Sequence, residues 1–461
     1  MGNTWDFSTW GFFNLIAVLL ASLLLAHMLK RMIPWLEKSL VPTSVLGGLI
    51  LLGISVVYNN VTGRELFDTA FFGGKGTVYL EMLTYHCLAL GFTASALKTT
   101  GGKMSKERSV EIFNTGVTTV CTYLLQAMAG MIICIIAGFF LEDLLEASGI
   151  LLALGFGQGT GQAMNYGSIY ENEWGFVGGK SFGLTVAAMG FLSASIGGVI
   201  HLNILKHKGK IVLDKGTGRD TEQVERENEI PMQESIDKFT IQIALIVIAY
   251  LMAFLLMFGL GQLIPGMRST IYGFNFLLGV VAATVLKAII NFLNKKQIIH
   301  RYYTNNFLLT RATNFFFDIM VAAGIAAIRM DIVGKYWAVL LTLGAVGLVL
   351  TYVYNYFIAR RLFPDYCEQQ FMAMYGMLTG TASTGIILLR EIDGDFKTPV
   401  ADNLVYQNFP AMIFGFPILL LATMAPDKPY LTLGIIVVFF LVMNVVLFRS
   451  FIFRKKKKID G

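Results

Sequence analysis

The chain is 461 residues long with a net charge of +6, and it is 55% hydrophobic but only 14% charged, with a mean hydropathy of +0.63. That balance is far from a water-soluble domain and makes the bilayer the solvent to reason with. Six basic residues crowd into Arg449 to Lys458 directly after an apolar run, which marks a cytoplasmic membrane end and not a nucleic-acid surface.

A spanning helix needs about 20 mostly apolar residues. Taken in chain order, such runs predict spans at Gly11 to Leu29, Val45 to Tyr58, Val78 to Leu97, Val110 to Leu141 and Phe176 to Leu205. They resume at Phe239 to Ile264, Gly273 to Phe292, Phe307 to Ile328, Tyr336 to Leu362, Leu404 to Met424 and Leu431 to Phe453. The first run has no basic segment before it and no small-residue cleavage site after it, so it reads as a mature helix. Between the two sets, Lys206 to Ser235 mixes lysines with glutamates without an apolar period and reads as a solvated tether. Cys87, Cys121, Cys134 and Cys367 have no C-x-x-C spacing and read as structural residues.

Two apolar segments, Gly149 to Tyr170 and Phe371 to Leu389, are interrupted by glycines and hydroxyl residues. Each uninterrupted stretch then covers about half a membrane at 1.5 Å per residue, which predicts re-entrant hairpins at 149–170 and 371–389. With these excluded as spans and the N-terminus outside, all but seven of the 36 Lys and Arg residues are cytoplasmic, so the positive-inside rule gives N-out, C-in with eleven spans. The fold class expected is therefore an all-α polytopic membrane protein. It divides into a half at 1–205, a cytoplasmic linker at 206–235, a second half at 236–424, and an extra C-terminal helix with a basic tail at 425–461. Five spans per half is an odd number, so the halves are inverted repeats, each with a hairpin after its fourth span. Matched broken elements in inverted repeats point to a secondary transporter with a midplane site.

The chemistry sits at the two interruptions. Gly157, Gly159 and Gly161 allow open backbone close to a ligand, and Gln158, Thr160, Gln162 and Asn165 add neutral donors and acceptors. The second tip offers Thr379, Thr381, Ser383 and Thr384 around Gly380. Half-helix N-termini suit an anion and exposed carbonyls suit sodium. Arg390, just after the second tip, is a candidate fork for a substrate carboxylate or a solvated membrane exit. Asp318, inside an apolar run, costs about 2.5 to 3.5 kcal/mol at a helix centre, which marks it as a candidate for cation binding or proton coupling, or else for a structural bond to a neighbouring backbone. His27, His86 and His201 lack partners at ligand spacing and read as packed or interfacial residues. No nucleophile-elbow, zincin or P-loop pattern occurs, so neither an enzyme nor an ATP-driven pump is expected.

Several motifs resemble one family, the bacterial glutamate:sodium symporters. VPTSVLGGL from Val41 to Leu49 is similar to its second helix and LGFTASALK from Leu90 to Lys98 to its third. GQGTGQA from Gly157 to Ala163 is similar to its Gly-rich first hairpin, and Gly190, Gly197 and Gly198 match the small-residue helix that follows. The resemblance implies two inverted five-helix halves with opposed hairpins, sodium-coupled uptake of an acidic amino acid, a homodimer and a bacterial inner membrane, with no cofactor beyond the coupling sodium ion. Gln158 stands where the family commonly has histidine, and the second tip keeps Gly380 and Thr384 without the usual Gly/Pro-rich wording. The helix from Leu431 to Phe453 is an addition to the usual ten. A citrate-like or dicarboxylate carrier is the alternative within transport, and a channel or a non-transporting sensor the alternative outside it. The linker is too short and polar for a sensor's folded soluble domain.

Overall fold

The computed structural model describes residues 3–98, 105–209, 236–298, 304–394 and 397–452. Among them every regular element is helical. We number fifteen principal helices: α1 Phe7–Met32, α2 Thr43–Thr62, α3 Gly76–Leu97, α4 Lys106–Gly138, α5 Leu151–Trp174, α6 Gly179–His207, α7 Lys238–Leu263, α8 Asn275–Lys295, α9 Asn306–Ala326, α10 Met330–Leu362, α11 Cys367–Thr379, α12 Ala382–Arg390, α13 Val400–Tyr406, α14 Asn408–Met424 and α15 Pro429–Leu447. The expected tether beyond Gly209 and the basic tail beyond Ile452 lie outside the described residues.

Nine of these helices are long and apolar enough to cross a membrane: α1, α2, α4, α6 to α10 and α15. The pair α13 and α14 makes a tenth if taken as one span bent by 47°. At the place of the remaining expected span lies α3, 22 residues long, whose Glu81, Thr84, His86 and Thr93 lower its hydropathy. The outer surface carries exposed Leu24, Leu251, Leu255, Val353 and Val438, an apolar coat that hydrocarbon accommodates and water does not. The protein is an all-α membrane protein.

Local chemistry explains the helix ends. The Ser105 hydroxyl accepts from the Arg108 amide at the start of α4, Asp237 accepts from the Phe239 and Thr240 amides at the start of α7, and Asn305 does the same for Phe307 and Leu308 at α9. Two long helices organise the interior. Helices α4 and α10 have 33 residues each and run antiparallel. Gln126 meets Thr351 and Thr122 meets Asn355 midway, and the Tyr336 hydroxyl donates to the Asp143 carbonyl at one end.

Each long helix leads into an interrupted segment. After α4 the chain passes Asp143, runs through α5, and comes back to Phe176, whose ring lies 5.7 Å from the same Tyr336 ring. Both flanks of α5 therefore sit at the Tyr336 end of α10. Helix α11 follows the opposite end of α10 through the Pro364–Tyr366 turn, and α12 folds back along α11. A Cβ on Gly376 would lie 2.9 Å from the Gly385 Cα, so only a hydrogen there permits this approach. Backbones touch in the same way where α4 passes the start of the first segment, since a Cβ on Gly130 or Gly149 would collide with the other's carbonyl oxygen.

Candidate functional site

Both interrupted segments break at a glycine, and the breaks meet. Inside α5, Gly159 has φ 77° and ψ −170°, a backbone conformation that side-chain-bearing residues rarely adopt. A Cβ there would lie 3.5 Å from the Thr381 Cγ2, 3.7 Å from the Gly380 carbonyl oxygen and 4.0 Å from the Met320 Cε. Gly380, with φ −150° and ψ −106°, closes α11, and Thr381, in extended backbone, caps α12 by accepting from the Thr384 amide. The arm of α5 ending at Gln158 and the helix α11 thus present C-terminal carbonyls, while the arm starting at Thr160 and the helix α12 present N-terminal amides.

Of the expected site residues, Gly159, Gly380 and Thr381 are brought into direct proximity. Thr160 is buried, and its hydroxyl donates to the Met320 carbonyl of α9 at 3.3 Å. Gly157 lies against the Tyr123 ring, and its carbonyl accepts from the Tyr123 hydroxyl at 2.9 Å. Gly161 packs on Leu88 and the Met320 sulfur. Gln162 is buried with its Nε2 unpartnered, while its Oε1 takes a long 3.4 Å bond from Asn165, which also reaches the Gly273 carbonyl. Thr379 donates to the Tyr375 carbonyl at 2.6 Å, and the Thr381 and Thr384 hydroxyls lie 3.3 Å apart. Gln158 and Ser383 are half-buried.

Two expected members stand elsewhere. Arg390 is exposed at the far end of α12, ten residues from Gly380, or about 15 Å along a helix. Asp318 is close in sequence to Met320, but Ile319 and Met320 are buried whereas Asp318 is on the exposed side of α9, with the Ser44 hydroxyl at the start of α2 as its hydrogen-bonding neighbour. Three residues join the site that sequence reasoning passed over. Gln126 donates from one amide nitrogen to the Thr351 hydroxyl and to the Leu378 carbonyl, both at 2.9 Å, and so ties α4 to α10 and to the last turn of α11. Its signal was a lone amide within a long apolar run, the same anomaly that singled out Asp318. Tyr123 and Met320 carried no signal, because an aromatic or a methionine in a membrane helix is ordinary.

The segment flanks are held by charge at the Tyr336 end. Lys180 sits 2.9 Å from Glu81, linking α6 to α3, and 3.9 Å from Glu171 of α5. In the loop before α5, the Lys335 ammonium 2.8 Å away holds the Asp143 carboxyl below the usual carboxylate range. Among the described residues no cluster of His, Cys, Asp and Glu has the spacing to hold a metal ion.

The class that fold and site define is an all-helical membrane protein with two broken segments meeting in its interior. Compared with known proteins, the chain matches no family model, no curated protein and no solved structure.

Proposed function

We propose that the protein is a secondary transporter, a sodium-coupled symporter for glutamate or a related small carboxylate. In this reading α5 and the α11–α12 pair are opposed re-entrant hairpins in two inverted repeats, α15 is an addition, and alternating access moves one hairpin-bearing core against a scaffold. The observation that carries it is the contact of Gly159 with Gly380 and Thr381, about 220 residues apart in sequence. Two half-helix N-termini there suit a carboxylate, and two half-helix C-termini suit a dehydrated cation.

Support for inversion comes from the pairing of α4 with α10, equal in length and antiparallel, each leading to a broken segment from an opposite end of the bundle. The span after each segment also packs on the other segment: the Tyr375 hydroxyl donates to Ser193 of α6, and those of Tyr166 and Tyr170 donate to Leu419 and Ala422 of α14. The basic asymmetry supports an outside N-terminus and a cytoplasmic C-terminus in a bacterial inner membrane, and the resemblance to glutamate:sodium symporters supports the substrate class and a homodimer.

The test is uptake of radiolabelled acidic amino acids and dicarboxylates into proteoliposomes, with and without an inward sodium gradient. Glutamate accumulation that requires the gradient is the expected result. Accumulation of citrate or a dicarboxylate alone would move the substrate to the alternative class, and uptake that follows a proton gradient while ignoring sodium would reject the coupling ion.

A further inference from the structure

His201, which the sequence presents as a packed residue, is the centre of a buried ionisable cluster away from the two breaks. It lies on α6 and is 1% exposed. Its Nδ1 is 2.7 Å from the Tyr352 hydroxyl of α10, and its Nε2 is 3.0 Å from the Glu368 carboxylate of α11. The ring rests on Phe371 with centroids 4.4 Å apart and meets Tyr356 edge-on at 5.5 Å. Among the described residues, the charges that act on it besides Glu368 include Arg360 of α10, stacked on the Tyr356 ring at 4.6 Å, and Lys208 beyond the end of α6. Helix α11 adds Cys367 beside Tyr356, and α12 packs Leu388 and Ile387 against the apolar side of this cluster.

The hydrogen bonds constrain where protons can sit. An ionised Glu368 only accepts, so Nε2 must carry a hydrogen; Nδ1 then holds a lone pair, to which the Tyr352 hydroxyl donates. A second proton, taken from water onto Nδ1, makes the ring an imidazolium, and the Tyr352 hydroxyl turns to accept. The charge of the His201–Glu368 pair then goes from −1 to 0. Burial away from water opposes the protonated ring, as do Arg360 and Lys208, while the Glu368 carboxylate 3.0 Å away favours it. Groups on three helices therefore act in opposite directions on the protonation of His201.

We propose that His201 and Glu368 form a proton-binding site that sets how firmly α11, and with it the second break, is tied to α6. Glu368 and Thr379 belong to one helix, so a tightened His201–Glu368 pair restrains the arm that ends at Gly380. Transport then becomes pH-dependent through this pair independently of the coupling ion. This last step rests on the reading of α11 and α12 as a moving hairpin.

The test uses the full chain in lipid nanodiscs with 15N-labelled histidine, the His201 resonance being assigned by its loss in His201→Gln. From about pH 4 to 9 the imidazole of His201 is expected to titrate, with a midpoint about one unit lower in Glu368→Gln. If Glu368→Gln does not fold, Arg360→Gln, which removes an exposed cation from the rim, is expected to raise the midpoint. In a background with the four native cysteines replaced, Ser383→Cys is expected to react with a maleimide at a rate that changes several-fold across the same midpoint, and to become flat when His201→Gln is added. A His201 that stays in one state throughout, a midpoint indifferent to both substitutions, or a labelling rate blind to pH overturns the proposal. Neither readout uses a substrate, so both outcomes stand apart from the uptake assay.

Discussion

The two broken segments are built from the same device and held very differently. In α5 nearly every residue from Leu151 to Tyr170 is buried, and the return arm is pinned by the Tyr166 and Tyr170 hydroxyls to α14 and by Gly167 against Gly179 of α6. The return arm of the second segment, α12, has nine residues, of which Thr384, Gly385, Leu388 and Leu389 are buried. The first break is thus embedded, and the second ends in a short arm with an open face. In a membrane, backbone freed by a break needs protein or water as partner, and protein covers the return arm of the first segment more completely than that of the second.

Substituting the two glycines breaks the comparison most directly. Gly159→Ala forces a side chain onto a backbone conformation that is nearly glycine-only, costing about 1 to 3 kcal/mol, and is expected to abolish uptake. Gly380→Ala meets the Thr384 hydroxyl at 2.9 Å without a left-handed φ, so uptake should fall while thermal stability changes less. A Gly380→Ala that unfolds as readily as Gly159→Ala in a thermal melt would erase the distinction.

Gln126 is the tie that reaches the second tip from α4. Gln126→Leu removes two hydrogen bonds and leaves the Thr351 hydroxyl without this partner, a loss of about 1 to 3 kcal/mol. It is expected to speed maleimide labelling of Ser383→Cys, because the last turn of α11 is released, without changing the labelling of Gln158→Cys. Equal acceleration at both tips would mean that they move as one body.

Tyr166→Phe and Tyr170→Phe each delete one donor from the first segment, at about 0.5 to 1.5 kcal/mol apiece. They lie four residues apart with touching rings, so their combined effect on melting should be non-additive, and uptake should persist. Loss of uptake without loss of stability would make the first segment the mobile one.

The smallest effect concerns the loop before α5. With Lys335 beside it, Asp143 has a folded pKa depressed below its unfolded value. Whatever it contributes is present above the unfolded pKa and lost as pH falls through the depressed one. At this exposed site the pair contributes little, so Asp143→Asn should leave neutral-pH melting almost unchanged and remove only a slight acid sensitivity. A large shift at neutral pH would show that the loop anchors the first segment.

Helix positions were legible because a bilayer demands long apolar runs, and ten of the eleven expected spans coincide with helices or a bent pair that meet that demand; the eleventh, α3, is polar enough to need its neighbours. The interruptions at Gly159 and Gly380 were legible for the same reason inverted, since glycine and hydroxyl residues make a poor span. The site was only partly legible. Arg390 and Asp318 attracted attention as charges in or beside apolar sequence; one lies at the end of its helix far from the break and the other on the opposite side of α9 from Met320. The lone amide of Gln126 was a signal left unread, and His201 was unremarkable; the partners of both come from helices more than 150 residues away.

From the sequence alone come the solvent, the positions of most of the long apolar helices and the two places where helices fail, all consequences of local hydrophobicity and backbone conformation. Only the tertiary structure decided that the two failures touch, that Gln126 rather than Asp318 reaches the second tip, and that His201 faces a carboxylate. Those facts depend on which face of each helix turns inward, and the contacts that fix it join residues far apart in the chain, where periodicity carries no information.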